Sequence, residues 1–116
     1  GPRATFTERV PAIAYSSKSI ADAERRAQLF RDKKYDRAAE IFPRKLRGDY
    51  EYIDFIEMQC PNGVCPIFDE DENLLYMDRR HFTGAGIKWF AKRLRAEHPR
   101  ILYGYADKMT KPASLQ

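Results

Sequence analysis

An acid and a histidine, Asp78 and His81, stand three positions apart in front of a segment that can begin a helix. A tight turn between them would let the Asp78 carboxylate accept a hydrogen bond from one imidazole nitrogen and leave the other nitrogen as a general base. The carboxylate would fix the tautomer of the ring and stabilise the imidazolium that forms. The spacing therefore predicts a catalytic dyad. A structural histidine is the competing interpretation, because Asp-x-x-His also occurs by chance.

The segments on either side of the dyad are the ones that could position it. Before it, residues 64–77 are predicted to form a β-hairpin whose turn is the acidic run 69–73. This turn lacks the glycine and the spaced ligands of an EF-hand loop, so we expect a solvated turn rather than a calcium site. After the dyad, Thr83 is a candidate N-cap for a helix over residues 84–95. Its apolar stripe is Ile87, Phe90, Ala91 and Leu94.

The rest of the chain is predicted to supply an α/β framework. Residues 5–15 contain Pro11 and are predicted to be the end of a strand that runs into a loop. Residues 50–58 are rich in aromatic and β-branched types, which predicts a strand covered on both faces. Between these strands we expect a helix over 20–30 capped by Ser17 or Ser19 with the stripe Ile20, Ala23, Ala27 and Phe30, a short helix from Tyr35 to Phe42 ended by Pro43, and a turn at Gly48 and Asp49.

Two cysteines, Cys60 and Cys65, flank the pair Asn62 and Gly63, which is a strong turn signal. A turn there can bring the two side chains within disulfide range, and a disulfide would indicate an oxidising compartment. Two free thiols in a cytosolic protein are a second interpretation. A zinc site is the third, although it normally needs four ligands, and the side chains that could join are His81 and His98.

The net charge of +4, from 21 basic and 17 acidic residues, is mild, so no nucleic-acid partner is expected. Acidic residues interrupt most of the basic runs, which indicates solvated faces rather than a polyanion site. Arg79 and Arg80 are an exception, because they place two cations beside the dyad and could steer an anionic glycan toward it. The sequence has no run of about 20 apolar residues and no visible signal peptide, so it predicts no membrane span.

The dyad lies in a block that resembles the last conserved block of SGNH-type esterases and acyltransferases. The resemblance is greatest to the SGNH domains fused behind multi-pass membrane O-acyltransferases, with the pattern Tyr-x-Asp-x-x-His-Leu-Ser/Thr-x-x-Gly-Ala. Phe82 replaces the usual leucine of this pattern. The resemblance covers about residues 50–95, where a cysteine pair and an acidic hairpin follow the same plan. The positions that correspond to the pattern, with Phe82 in place of the leucine, are Tyr76, Asp78, His81, Phe82, Thr83 and Gly86.

The resemblance implies a partial flavodoxin-like three-layer α/β domain with the β-hairpin before its last helix. It also implies acyl transfer or ester hydrolysis, with O-acetyl groups on carbohydrate as the substrate, by a serine that His81 activates and Asp78 orients. No cofactor and no metal are implied. The expected location is the periplasmic, extracellular or lumenal side, with the domain attached to a membrane parent protein.

The family's nucleophile lies in a Gly-Asp-Ser block, and its oxyanion hole uses a glycine and an asparagine from two middle blocks. The asparagines here, Asn62 and Asn73, lie in turns. We therefore expect residues 1–116 to be the C-terminal portion of a single SGNH-like domain, inactive when isolated, since loss of a nucleophile costs several orders of magnitude in rate. The serines, none of which follows Gly-Asp, are Ser16, Ser17, Ser19 and Ser114.

Several expectations follow from treating the chain as a portion of a domain. The pair Gly1 and Pro2 resembles the scar of tag removal, and residues 99–116 are expected to be a loosely ordered tail. The upstream part of the same domain is the expected intramolecular partner. An exposed sheet edge could also let the fragment pair as a homodimer.

Two other functions compete with the enzymatic one. A non-catalytic domain of the same fold that binds glycan or a partner would fit the departure at Phe82 and the cations at Arg79 and Arg80. A small basic nucleic-acid or protein-interaction module would fit the charge balance. Salt-dependent binding to polyanions without esterase activity would identify this last class.

Overall fold

The structure of the chain is a computed structural model that describes residues 2–38 and 53–100. Helices combine there with a two-stranded antiparallel sheet, which is part of the α/β fold that the sequence predicts. None of the helices in these two ranges has both the length and the apolar composition that crossing a membrane requires. The elements are β1 (Thr5–Phe6), α1 (Val10–Tyr15), α2 (Ile20–Leu29), β2 (Arg31–Asp32), a 3₁₀ turn (Lys33–Tyr35), α3 (Phe55–Gln59), a second 3₁₀ turn (Pro61–Gly63) and α4 (Gly84–Glu97).

β1 and β2 pair antiparallel, with Thr5 opposite Asp32 and Phe6 opposite Arg31. The prediction that residues 5–15 pass from a strand end into a loop is confirmed for the strand and wrong for the loop, because α1 begins directly afterwards. Pro11 lies in the first turn of α1. There its missing N–H removes no helical hydrogen bond, since the first N–H groups of a helix have no partner within it.

α2 begins where the sequence predicts, after the Ser19 cap. The Ser19 hydroxyl accepts a hydrogen bond from the backbone N–H of Asp22 at 3.0 Å. In the predicted apolar stripe Ala23 and Ala27 are fully buried, whereas Ile20 is exposed. Two small side chains at the contact let the backbone of α2 approach the core closely.

Polar side chains of α2 hold the segment that leads into the hairpin. The Glu24 carboxylate accepts a hydrogen bond from the backbone N–H of Ile67 at 3.0 Å and one from the N–H of Phe68, also at 3.0 Å. One turn later the Gln28 amide accepts from the N–H of Cys65 at 2.8 Å and donates to its C=O at 2.9 Å. Burial raises the pKa of Glu24, and the two backbone bonds oppose that shift. Side chains of α2 thus make the hydrogen bonds that a neighbouring strand would make to this extended segment.

The strand predicted for residues 50–58 is wrong in the part that the structure describes, where α3 replaces it. The start of α3 is local, because the Asp54 carboxylate accepts from the backbone N–H of Glu57 at 3.0 Å, which is N-cap geometry. The Phe55 ring, which favoured a strand by its type, stacks instead on Phe90 of α4 with the ring centroids 5.4 Å apart. An N-cap and packing against a helix outweigh weak β propensity here.

Other predictions fall on residues outside the described ranges. These are the turn at Gly48 and Asp49, most of the short helix predicted from Tyr35 to Phe42, and nearly all of the tail from residue 99. Residues 36–38, at the start of that short helix, are helical.

Cys60 and Cys65 form a disulfide, which confirms the first of the three interpretations and occupies both sulfur atoms. Between them Asn62 and Gly63 have φ angles of 56° and 80°. These angles lie in the left-handed region that asparagine and glycine enter most readily, so the turn signal in the sequence is confirmed. Both cysteines are buried, and the turn joins the end of α3 to the segment held by α2.

The hairpin predicted for residues 64–77 is present in a short form. Phe68 and Leu74 make an antiparallel bridge across the acidic turn. The Asp69 carboxylate closes this turn by accepting from the backbone N–H groups two and four residues later. That local bonding also lowers the pKa of Asp69. The geometry of the turn therefore explains Asp69.

α4 follows the dyad with the predicted cap. The Thr83 hydroxyl accepts from the N–H of Gly86 at 3.0 Å, and the N–H of Thr83 donates to the C=O of Leu75 at 2.9 Å. A Cβ atom at position 86 would lie 2.0 Å from that same carbonyl oxygen, so only glycine allows this approach. Ile87 of the predicted stripe is exposed.

These elements share one hydrophobic core cluster, which includes Leu75 and Tyr76 just before the dyad. Partly buried Phe68, Leu74, Phe82 and Trp89 pack against it. Its buried members are Ala4, Phe6, Val10, Ala23, Ala27, Cys60, Cys65, Ile67, Leu75 and Tyr76.

Candidate active site

Asp78 and His81 form the hydrogen-bonded pair that their spacing predicts. The Nδ1 atom of His81 lies 2.7 Å from Oδ2 of Asp78. The other carboxylate oxygen accepts from the backbone N–H of Arg80 at 2.8 Å and of His81 at 2.7 Å. An aspartate that binds the backbone two and three residues further on folds the chain into a turn around itself. The same turn brings the imidazole back onto the carboxylate.

These hydrogen bonds hold the pKa of Asp78 far below its ordinary value. The largest cause is the backbone N–H of His81, followed by that of Arg80 and then by the imidazole itself. Each of them favours the charged form of the carboxylate. Asp78 is therefore ionised throughout the range in which imidazoles titrate, and it can fix a tautomer in which Nδ1 donates and Nε2 carries the free electron pair. The imidazole of His81 is 55% exposed.

Two backbone hydrogen bonds tie residues 78–81, the dyad loop, to the start of the chain. The N–H of Phe6 in β1 donates to the C=O of Arg79 at 2.9 Å. The N–H of Val10, the first residue of α1, donates to the C=O of Asp78 at 3.2 Å. The dyad is therefore held by residues about 70 positions away in sequence as well as by its own turn.

Tyr76 supports the dyad loop from inside. It forms a β-bridge with Phe82, and the two rings stack with centroids 5.2 Å apart. Its hydroxyl accepts from the side-chain amide of Gln59 at 3.1 Å, and burial raises the pKa of this hydroxyl. Gln59, itself fully buried, also accepts from the N–H of Ala4 at 2.9 Å. Phe82 thus belongs to the packing beneath the dyad.

The dyad opens onto a cleft of about 620 Å³ between β1, the start of α1, the turn after β2 and the dyad loop. Arg79 and Arg80, which the sequence places beside the dyad, line this cleft together with His81. No sequence pattern points to Arg9, which lies far from the motif and reaches the cleft through the fold. The charged lining residues are Arg9, Asp32, Lys34, Asp78, Arg79 and Arg80.

The serines of the described ranges do not line this cleft. The hydroxyls of Ser16 and Ser17 bind the end of α1 and accept from Arg26, and Ser19 caps α2. Ser114 lies outside the described residues. The described residues thus bring together an acid and a base, with no serine beside them.

One family profile, described as the SGNH domain (fused to AT3 domains), matches residues 2–96. The chain belongs to this SGNH domain family. The match extends upstream of residues 50–95, so α1, α2 and the β1–β2 pair are included in it. No curated protein and no solved structure shows significant similarity to the chain.

Membership confirms the resemblance found in the sequence and the partial α/β fold expected from it. SGNH domains of this family are fused to AT3 membrane acyltransferase domains, which indicates a role related to acyl transfer or ester hydrolysis and a membrane-bound parent. In this SGNH domain the Asp78–His81 pair has the geometry of the acid and base that such chemistry needs.

Proposed function

We propose that Asp78 and His81 are the acid and the base of a Ser-His-Asp acyl-transfer or ester-hydrolysis site whose serine lies outside this chain. The observation that carries the proposal is the 2.7 Å contact between Asp78 Oδ2 and His81 Nδ1 in an SGNH domain. It leaves Nε2 of His81 as the proton acceptor at the cleft. The expected substrate is an O-acetyl group on carbohydrate.

The reaction that this pair supports has two half-reactions. Nε2 of His81 takes the proton of the serine hydroxyl as its oxygen attacks the acyl carbon, and the Asp78 carboxylate stabilises the imidazolium. The imidazolium then returns the proton to the departing alcohol, which leaves an acyl-serine. Water or an acceptor hydroxyl repeats the sequence and releases the acyl group by hydrolysis or transfer.

The disulfide supports a location on an oxidising side of the membrane. Cys60 and Cys65 are both buried and bonded to each other, and such bonds persist in the periplasm, outside the cell or in the lumen. A membrane-attached parent would present the cleft to glycans on that side.

A non-catalytic domain that binds glycan or a partner is the second candidate. It is favoured by the absence of any described serine from the cleft, together with the cations that line it. Such a domain would keep the Asp78–His81 turn for its structure alone.

The test is acetyl-ester hydrolysis by the full-length parent beside its His81→Ala variant, with His98→Ala as the matched control. We expect the first variant to lose about 10⁶-fold in kcat, as for removal of a triad base, and the control to keep its rate. The isolated chain should show no turnover. An active parent whose rate is unchanged by His81→Ala would refute the catalytic role, and an inactive parent would favour the binding domain.

A further inference from the structure

The cleft beside the dyad carries more positive than negative charge. Its cations are Arg9, Lys34, Arg79 and Arg80, and its carboxylates are Asp32 and Asp78. Both carboxylates already accept hydrogen bonds. Asp78 binds its own loop and His81, and Asp32 accepts from the backbone N–H of Lys34 at 3.0 Å.

The three arginines have no carboxylate partner among the described residues. The ion pairs within residues 2–38 and 53–100 use other arginines, such as Arg31 and Arg93. Arg9, Arg79 and Arg80 are all exposed. Their guanidinium groups can therefore donate to a ligand without first breaking a salt bridge.

The arginines are attached to backbone that is already fixed. Arg79 accepts from β1 through its C=O, and the N–H of Arg80 donates to the Asp78 carboxylate. Arg9 directly precedes Val10, whose N–H donates to the C=O of Asp78. Since the two segments are hydrogen-bonded to each other, a ligand that bridges them orders few further groups on binding.

We propose that the cleft selects an acidic carbohydrate, with Arg9, Arg79 and Arg80 binding a carboxylate, phosphate or sulfate group near the O-acyl position. The reaction at the O-acyl position is taken from the proposed function. The preference for an acidic substrate depends on the three arginines. The planar guanidinium group matches such oxyanions in a two-pronged geometry that lysine cannot offer.

A nucleic acid fits the cleft less well than an acidic glycan. Nucleic-acid grooves combine cations with exposed aromatic rings on which bases stack. In this cleft Phe6 is 2% exposed and lies in the core, with its ring edge-on to Tyr76, and the exposed ring of His81 is hydrogen-bonded to Asp78.

The test is calorimetric titration of this chain with four probes of matched length: an oligogalacturonate, a sulfated dextran oligosaccharide, a maltooligosaccharide and a single-stranded DNA oligonucleotide. We expect at least one acidic glycan to bind, with the neutral glycan and the DNA at least tenfold weaker. A carboxylate ligand is distinguished from a sulfate ligand by which acidic probe binds more tightly. DNA binding that equals or exceeds glycan binding, or neutral binding equal to acidic, would overturn the proposal.

Variants then locate the site. Arg9→Gln, Arg79→Gln and Arg80→Gln should each weaken acidic-glycan binding about five- to tenfold, the size of a lost charge-assisted contact. Arg95→Gln removes one charge from an exposed position of α4 and is the matched control, with less than a twofold effect expected. If Arg9→Gln and Arg95→Gln weakened binding of the acidic glycan equally, the attraction would come from the overall positive charge, and the proposed site would be wrong.

Nuclear magnetic resonance of the ring nitrogens gives an independent location. The acidic probe should shift the signals of His81 and leave those of His98 in place. Binding requires no nucleophile, so these results stand apart from the esterase assay. An active parent with no acidic preference would reject this inference alone, whereas an acidic preference in an inactive parent would reject the catalytic role alone.

Discussion

Asp78 and Glu24 each accept hydrogen bonds from the backbone N–H groups of two consecutive residues, and yet their pKa values move in opposite directions. The bonds to the dyad loop dominate at Asp78 and lower its pKa, because that carboxylate is open to solvent. Burial dominates at Glu24 and raises its pKa against the bonds from the hairpin. The backbone hydrogen bonds therefore favour the anion in both places, and burial outweighs them at Glu24.

The two carboxylates also differ in what they hold. Glu24 holds one extended segment against α2. Its carboxylate takes the place of a neighbouring strand as the hydrogen-bond acceptor for that segment. Asp78 fixes a turn and has an oxygen left for His81. Leu75 and Tyr76 link the two regions, since both are buried between the hairpin and the dyad loop. We interpret Glu24 as structural and Asp78 as the acid of the proposed dyad.

The largest effect expected from the two carboxylates is that of Asp78→Asn on a parent that contains the serine. An amide in place of the carboxylate can donate to Nδ1 of His81 and reverse its tautomer, which in such triads lowers kcat about 10⁴-fold. Folding should be kept, because the amide oxygen can still accept from the loop. Nitrogen chemical shifts of the His81 ring report the tautomer in the chain itself. A dyad that is purely structural predicts unchanged turnover despite an altered tautomer.

The link between the two regions is tested by Gly86→Ala. The added Cβ would lie 2.0 Å from the C=O of Leu75, so α4 or the dyad loop must shift. We expect a loss of about 3 kcal/mol in the free energy of unfolding, at the upper end of overpacking costs, measured by urea denaturation. Gly84→Ala is the matched control, since a Cβ there meets nothing within 4 Å. Equal stability of the two variants would show that the close approach is not needed.

Glu24→Ala removes the side chain that serves the hairpin segment. The N–H groups of Ile67 and Phe68 would then lack their partner in a half-buried position, at a cost of about 2 kcal/mol in the free energy of unfolding. Glu70→Ala, in the exposed acidic turn, is the control and should stay within about 0.5 kcal/mol of the wild-type chain. A Glu24 variant as stable as this control would contradict the structural interpretation.

The sequence predicts what is local in this molecule. The Asp78 turn, the Thr83 cap and the turn between the cysteines each depend on residues within a few positions of one another, and the structure contains all three. α3 is the exception, because the aromatic and β-branched residues of 50–58 predict a strand, whereas the structure has a helix that Asp54 caps.

Contacts between distant segments could not be predicted in this way. Gln59 joins the start of the chain to Tyr76, and Arg9 enters the cleft through the pairing of β1 with the dyad loop. Glu24 and Gln28 are spaced one helical turn apart beside buried alanines, which is a faint signal of a polar helix edge in contact with backbone. Such roles depend on the fold that brings the segments together, which a single sequence does not display.

The smallest effect is a difference in the pH dependence of stability between the two carboxylates. A pKa raised by folding, as at Glu24, contributes stability that is present below the unfolded value of 4.5 and is lost as the pH rises through the folded pKa. A pKa lowered by folding, as at Asp78, contributes stability that is present above 3.8 and is lost as the pH falls below that value. The loss of stability from Glu24 therefore begins near pH 4.5 and grows as the pH rises, whereas the loss from Asp78 begins near pH 3.8 and grows as the pH falls.

Urea denaturation of the wild-type chain, Glu24→Gln and Asp78→Asn at several pH values separates them. Relative to Glu24→Gln, the wild type should lose stability as the pH rises above 4.5, because ionising the half-buried carboxylate opposes folding there. Relative to Asp78→Asn, it should lose stability as the pH falls below 3.8, because the unfolded chain then takes up a proton at Asp78 while the folded loop, with its lowered pKa, keeps the carboxylate ionised. If the stability of the wild type relative to each variant instead followed the same pH profile in both cases, that result would show that solvent exposure does not distinguish the two carboxylates. The contrast between a structural Glu24 and a functional Asp78 would then lose its electrostatic basis.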